Sequence, residues 1–245
     1  LVPWLTLVGA GHVMVIQKNK GQSLIMTFIL AMISFLLVLY STFLVRSGIL
    51  GDSSVHAFTD LGMSAQLVVY LAAFVIMAVV LMGVNWKKIP RSEKEEALWS
   101  REFWMFIGAL VLSLSAFQIT VTTSIPVYNS LFGQDVAPPI DVIQHYNTWQ
   151  LPFAIIVAIF IGFTQYLKYR NSEIKKTLRD LLLPLLVSLL ATIGLVLAFQ
   201  YTNFFYILMA FATLFAIFGN LHYWLVKLKG KTKLAGASVS HIGFG

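Results

Sequence analysis

Five histidines and one stray arginine hold most of the chemistry open to this sequence: His12, His56, His145, His222, His241 and Arg46. An imidazole can ligate a metal or act as a proton donor or acceptor near neutral pH. A guanidinium can clamp a carboxylate through two parallel hydrogen bonds. The 245-residue chain has no cysteine, which excludes thiol catalysis, disulfides and iron–sulfur clusters within it. The sequence shows no phosphate-cradling glycine loop, no His/Glu metal spacing and no nucleophile–base triad. The histidines are therefore read as candidate ligands, each against a structural alternative.

The elements that must position them are membrane helices. The chain is 58% apolar and 11% charged, with a mean hydropathy of +0.82. Soluble domains run near 25% charged residues. A helix needs about 20 apolar residues to cross the hydrocarbon core. Six runs qualify, at 24–45, 65–85, 103–123, 151–167, 181–199 and 204–226. Partial runs at 1–16 and 234–245 read as the end of one further helix and the start of another. The expected fold is therefore all-α and polytopic, a single transmembrane domain over 1–245 with six complete spans and two partial ones. The chain reads as an internal fragment of a larger protein. Pro184 is tolerable in the fifth span if it lies near the helix start.

Cations then alternate between loops. Sixteen of the seventeen Lys and Arg residues fall at 17–23, 86–102, 168–180 and 227–233. The intervening loops 46–64, 124–150 and 200–203 hold only Arg46. Lys and Arg mark the cytoplasmic side, which places the two long loops 46–64 and 124–150 outside. In this setting the net charge of +7 reads as topology and not as nucleic-acid binding. Long ordered loops are usually functional. The alternative for 124–150 is an interfacial segment with Tyr146 and Trp149 in the aromatic belt. No Asp, Glu, Lys or Arg lies mid-span, which disfavours a proton or cation transporter.

Depth sorts the histidines in part. His12 lies roughly 8 Å inside the inner boundary and His241 roughly 10 Å, at 1.5 Å per helical residue. An imidazole in lipid is costly unless hydrogen-bonded or metal-bound. Two at matching depth suit axial ligation of a haem, or two separate hydrogen bonds across helices. His222 lies at a similar depth, so depth does not separate it from His241. His56 is either a solvated loop residue or a ligand at the outer surface. His145 reads as a solvated loop histidine.

Several stretches resemble one family. Thr42-Phe43-Leu44-Val45-Arg46-Ser47-Gly48, followed by Ser54-Val55-His56-Ala57-Phe58, resembles the signature loop of the CcmF family, the haem lyase subunit of bacterial cytochrome c maturation. Pro3-Trp4-Leu5 before His12, Tyr146-Asn147 before Pro152, and Ser240-His241-Ile242-Gly243 resemble further family segments in matching order. The resemblance implies that His12 and His241 ligate a buried b-type haem, and it selects His241 over His222. It implies that His56 is one of two outer ligands to the haem being delivered. The other outer histidine and a tryptophan-rich motif would lie before Leu1.

The resemblance further implies a haem lyase in the bacterial inner membrane. Its partners would be apocytochrome c and other maturation subunits including a haem chaperone, with quinol as electron source and no nucleic acid. Arg46, ten residues before His56, would pair with a haem propionate, the alternative being a cation snorkelling at a helix end. Two other classes compete: a haem or solute transporter without a catalytic role, and a structural subunit that only docks partners.

Overall fold

The computed structural model describes residues 1–20, 23–51, 62–90 and 97–245. These residues form nine α-helices and no strand among those described. They are α1 (Val2–Lys20), α2 (Leu24–Arg46), α3 (Ser64–Asn85), α4 (Arg101–Thr123), α5 (Ile125–Phe132), α6 (Val142–Thr164), α7 (Ile174–Phe199), α8 (Phe204–His222) and α9 (Gly236–Phe244). A π-helical turn at Tyr223–Lys227 widens the end of α8, and a 3-10 turn at Thr232–Leu234 precedes α9. Six helices are long and apolar enough to cross a membrane: α2, α3, α4, α6, α7 and α8 with its π turn. The chain is thus an all-α polytopic membrane protein.

Helix α3 shows why a bilayer is required. Its 22 residues are apolar around the whole circumference, yet none is buried by the protein. A helix apolar on every side must be covered by protein or by lipid. The described residues cover only the stripe that faces α2 and leave the rest exposed, which suits a helix lying against lipid.

Two spans begin earlier than apolar runs predict. Helix α6 starts at Val142 instead of 151, and α7 at Ile174 instead of 181. The polar turns Gln144–Gln150 and Lys175–Asp180 continue the same ladders. A helix that leaves hydrocarbon has no reason to unwind at once, since its hydrogen bonds are internal. The expected outer loop 124–150 is therefore largely helical, comprising α5 and the first turns of α6. Pro184 consequently lies inside α7 and not near its start. It is buried there, and Ser188 Oγ donates to its carbonyl at 2.7 Å. Pro152 likewise lies inside α6. Each proline leaves one i−4 carbonyl without its helical donor, which transmembrane helices tolerate when local groups compensate.

The chain divides into two compact units. The first comprises Leu1–Glu93 and Leu112–Val142, the second Lys94–Val111 and Ile143–Gly245. In the first unit α1 packs along α2, with Ala10, Val13 and Ile16 fully buried. Ser34 Oγ of α2 donates to Thr6 Oγ1 of α1 at 2.9 Å. Such small hydroxyl pairs join helices where lipid offers no hydrophobic drive for association. Phe35 and Phe74 meet edge-to-face between α2 and α3 at 5.3 Å. Tyr40 Oη lies 2.5 Å from Ser124 Oγ, tying α2 to the turn before α5.

In the second unit α8 packs on α7 and α9. It crosses α6 at two glycines. A Cβ added to Gly219 would lie 2.6 Å from the carbonyl oxygen of Gly162, and one added to Gly162 would lie 2.4 Å from the Phe215 ring. Only glycine lets the backbones approach this closely.

Candidate haem-ligand site

The glycine crossing places a polar cluster inside the second unit. Asn220, next to Gly219, is completely buried. Its amide nitrogen donates to the carbonyl of Ile161 across the crossing at 3.0 Å and to Ala216 on its own helix at 2.9 Å. Its oxygen lies 3.3 Å from Nδ1 of His241, on α9. Gln165, just past the end of α6, places its side-chain nitrogen 3.2 Å from the same Nδ1. Three elements thus converge on one imidazole.

Gln165 is itself held. Arg101, at the first position of α4, donates from Nε to the Leu167 carbonyl at 2.8 Å and from an Nη to the Gln165 carbonyl. Its backbone nitrogen donates to the Lys168 carbonyl at 2.9 Å. These carbonyls lie just past the end of α6, where a cation also meets the negative end of the helix dipole. Arg101 reads in the sequence as a topology marker. In the fold it fixes the chain that carries Gln165.

His222 belongs to a neighbouring contact. Tyr166 donates its phenol hydrogen to the Gly219 carbonyl at 2.9 Å and lies 2.7 Å from Nδ1 of His222. A phenol has one hydrogen, so His222 donates to the phenol oxygen from Nδ1. The two rings stack at 6.0 Å. Burial first, then Asp180 and Tyr223, push the Tyr166 phenol above its ordinary range, which keeps it a neutral donor. Beside this contact the unit opens into a cleft of about 390 Å³, with Gln165 and Tyr166 among its walls together with Lys168, Lys176 and Asp180. Lys227 closes an ion pair with Asp180 at 2.6 Å beside it.

His12, in the first unit, shows the same logic on one helix. Its Nδ1 lies 2.8 Å from the Val8 carbonyl one turn earlier, and the ring is half-buried. A carbonyl only accepts, so Nδ1 carries the hydrogen. The lone pair of that imidazole then resides on Nε2.

The other candidates fall elsewhere. Arg46 is exposed in the last turn of α2, where the helix dipole favours a cation. His56 lies outside the described residues. His145 is not in a loop but in the first turns of α6, its ring edge-to-face with Tyr146 at 5.4 Å. Among the described residues no group of three or more His, Cys, Asp or Glu side chains could hold a bare metal ion. The candidate ligands are single imidazoles, the donor set that haem iron takes.

Sequence reading missed Asn220, Gln165 and Tyr166. It sought ionised groups within spans. A neutral amide in the apolar run Phe215-Ala216-Ile217-Phe218-Gly219-Asn220-Leu221 is the same signal in a quieter form, because an amide in lipid must also find partners.

Curated relatives are similar to this chain over about two thirds or more of its length. A cytochrome c-type biogenesis protein CcmF of Pseudomonas aeruginosa is 31% identical over 170 residues, which is 66% of this chain and 24% of the relative. The CcmF of Escherichia coli is 27% identical over 163 residues, 64% of this chain and 24% of that protein. The cytochrome c-type biogenesis protein ccl1 of Rhodobacter capsulatus is 25% identical over 199 residues, 80% of this chain and 29% of that protein. This chain belongs to the CcmF family. It spans about a quarter of the length of the CcmF relatives it matches. No family model and no solved structure matches it. Membership in CcmF agrees with the Arg46–His56 stretch and with the order of the Pro-Trp-Leu and His-Ile-Gly segments.

Proposed function

We propose that this chain is the haem-handling part of a cytochrome c haem lyase of the bacterial inner membrane. Family membership and the two Nδ1-anchored histidines support this reading. The observation that carries it is the state of the two imidazoles. His12 faces a carbonyl through Nδ1, and His241 faces an amide oxygen held in place by two carbonyls. In both rings the lone pair then resides on Nε2, as in imidazoles that ligate a metal through Nε2 and donate through Nδ1. His12 and His241 would hold a b-type haem. When bound, that haem supplies one-electron chemistry, with quinol as the electron source.

The outer face would hold the substrate haem. His56 would ligate its iron and Arg46 would pair with a propionate. Two thiols of apocytochrome c, brought by the maturation partners and a haem chaperone, then add across the vinyl groups. In each addition an S–H bond breaks, sulfur bonds one vinyl carbon, and hydrogen ends on the other. No net oxidation occurs. The absence of cysteine in this chain fits a reaction whose thiols come from the acceptor. Arg46 and His56 would lie on the side poor in cations, the periplasmic side by the charge rule.

Arg46→Gln tests the outer site. Removing a charge-assisted pair costs about 1.5–3 kcal/mol, so retention of the substrate haem and the cytochrome c yield both fall by about tenfold or more. Unchanged retention and yield in Arg46→Gln would leave Arg46 a snorkelling cation and remove the propionate contact. A haem transporter without catalysis is the second reading. It predicts haem passage that does not depend on the acceptor's thiols.

A further inference from the structure

Asn220 has a role beyond holding two helices together. Its amide can face His241 in one orientation only. Both N–H groups are committed, one to Ile161 and one to Ala216. Turning the amide over would set its oxygen against two carbonyl oxygens inside a completely buried site, at the full cost of unmade hydrogen bonds. The oxygen therefore faces the ring, and Nδ1 must donate to it. Among the described residues no such pair of carbonyls holds the Gln165 amide, so it can turn its own oxygen toward the same hydrogen. The fixed partner decides the tautomer and the mobile one follows.

We infer that Asn220 is a positioning residue that fixes His241 as an Nε2 ligand and sets the donor strength of that nitrogen. The inference rests on the reading of His241 as a haem ligand. An acceptor at Nδ1–H raises the basicity of the ligating nitrogen and orients the ring. A more basic imidazole favours ferric over ferrous iron, so the midpoint potential falls. The carbonyl behind His12 would do the same from its own helix, but no substitution can remove a backbone carbonyl. Asn220 is the side chain through which this tuning can be altered.

The test is a redox titration of the buried haem in the protein at its full length, with haem content measured in parallel. Asn220→Leu, made together with Gln165→Leu so that no other amide oxygen takes its place, keeps the volume and removes the acceptor. Haem affinity falls by about 10–100-fold, and the midpoint potential rises. A tenfold change in the ferric-to-ferrous stability ratio is about 59 mV for one electron. Asn220→Asp keeps an oxygen at the ring, so its potential stays at or below the wild-type value. A purely structural role moves both variants in the same direction. A potential unchanged in the Leu variant, or raised alike in both, overturns the inference. Where the Leu variant does not accumulate, the Asp variant decides, and a raised potential there is the contrary result. His241→Ala separates this from the underlying reading. If that variant keeps its haem, the ligand assignment itself fails. If it loses haem while the Leu variant matches wild type, only the role of Asn220 falls.

Discussion

Replacing His241 or His12 by alanine removes the buried haem from the purified protein, while His222→Ala retains it. Depth along the sequence treats the three imidazoles alike, and there only the family resemblance separates His241 from His222. The fold separates them by partner. His222 is stacked on Tyr166 and donates to its phenol at the glycine crossing. That contact gives His222 a structural task. His241 instead meets an amide oxygen that cannot turn away, and His12 meets a carbonyl of its own helix. Loss of an axial ligand exceeds the about 10–100-fold loss in affinity typical of outer-shell changes. The haem absorption band of the two alanine variants therefore vanishes and does not merely shift. Normal b-type spectra in both variants would remove the ligand assignment. Loss of haem from His222→Ala alone would move the site to the Tyr166 contact.

The second large effect is on the helix crossing. Gly219→Ala puts a methyl 2.6 Å from the Gly162 carbonyl oxygen and 3.3 Å from its Cα. Those are backbone atoms, so no side chain can swing aside. Helices α6 and α8 must separate, which strains the Asn220–Ile161 and Tyr166–Gly219 bonds at 3.0 and 2.9 Å. Overpacking of this kind costs about 1–3 kcal/mol, and two interhelical bonds weaken with it. Thermal unfolding in detergent reads the loss. Gly194→Ala in α7 is the matched control, since nothing lies within 4 Å of its added Cβ. A helix-interior Gly→Ala change of that sort is neutral or stabilising by about 0.5–1 kcal/mol. Equal stability of the two variants would show that the crossing does not depend on glycine.

The membrane fold was legible because lipid imposes a single rule. Every span must be helical and long, and residues 24–45, 65–85 and 103–123 follow it almost to the residue. The rule says nothing about where a helix continues beyond hydrocarbon. That is why α6 and α7 begin seven to nine residues before their apolar runs, and why His145 lies on a helix and not in a loop. The candidate ligands were legible as isolated polar residues in apolar runs. Their partners were not, because Asn220 reaches Ile161 and His241 only through a crossing set by Gly162 and Gly219. Nothing in the spacing of 162, 219, 220 and 241 announces that geometry. Arg101 shows the opposite error. It satisfies the charge rule as a bland cation, yet it donates to the carbonyls of Gln165 and Leu167 just past the end of α6. The charge asymmetry does leave one cation apart from the rest. Arg46 ends α2, next to the stretch that most closely resembles the CcmF signature.

If two histidines of this chain hold a haem within the membrane, the isolated protein must carry that haem. Pyridine haemochrome analysis of the purified wild-type protein at its full length tests it most directly. The expected result is a stoichiometric, non-covalent b-type haem that acid acetone extracts. A preparation that supports cytochrome c maturation yet contains no such haem would contradict it.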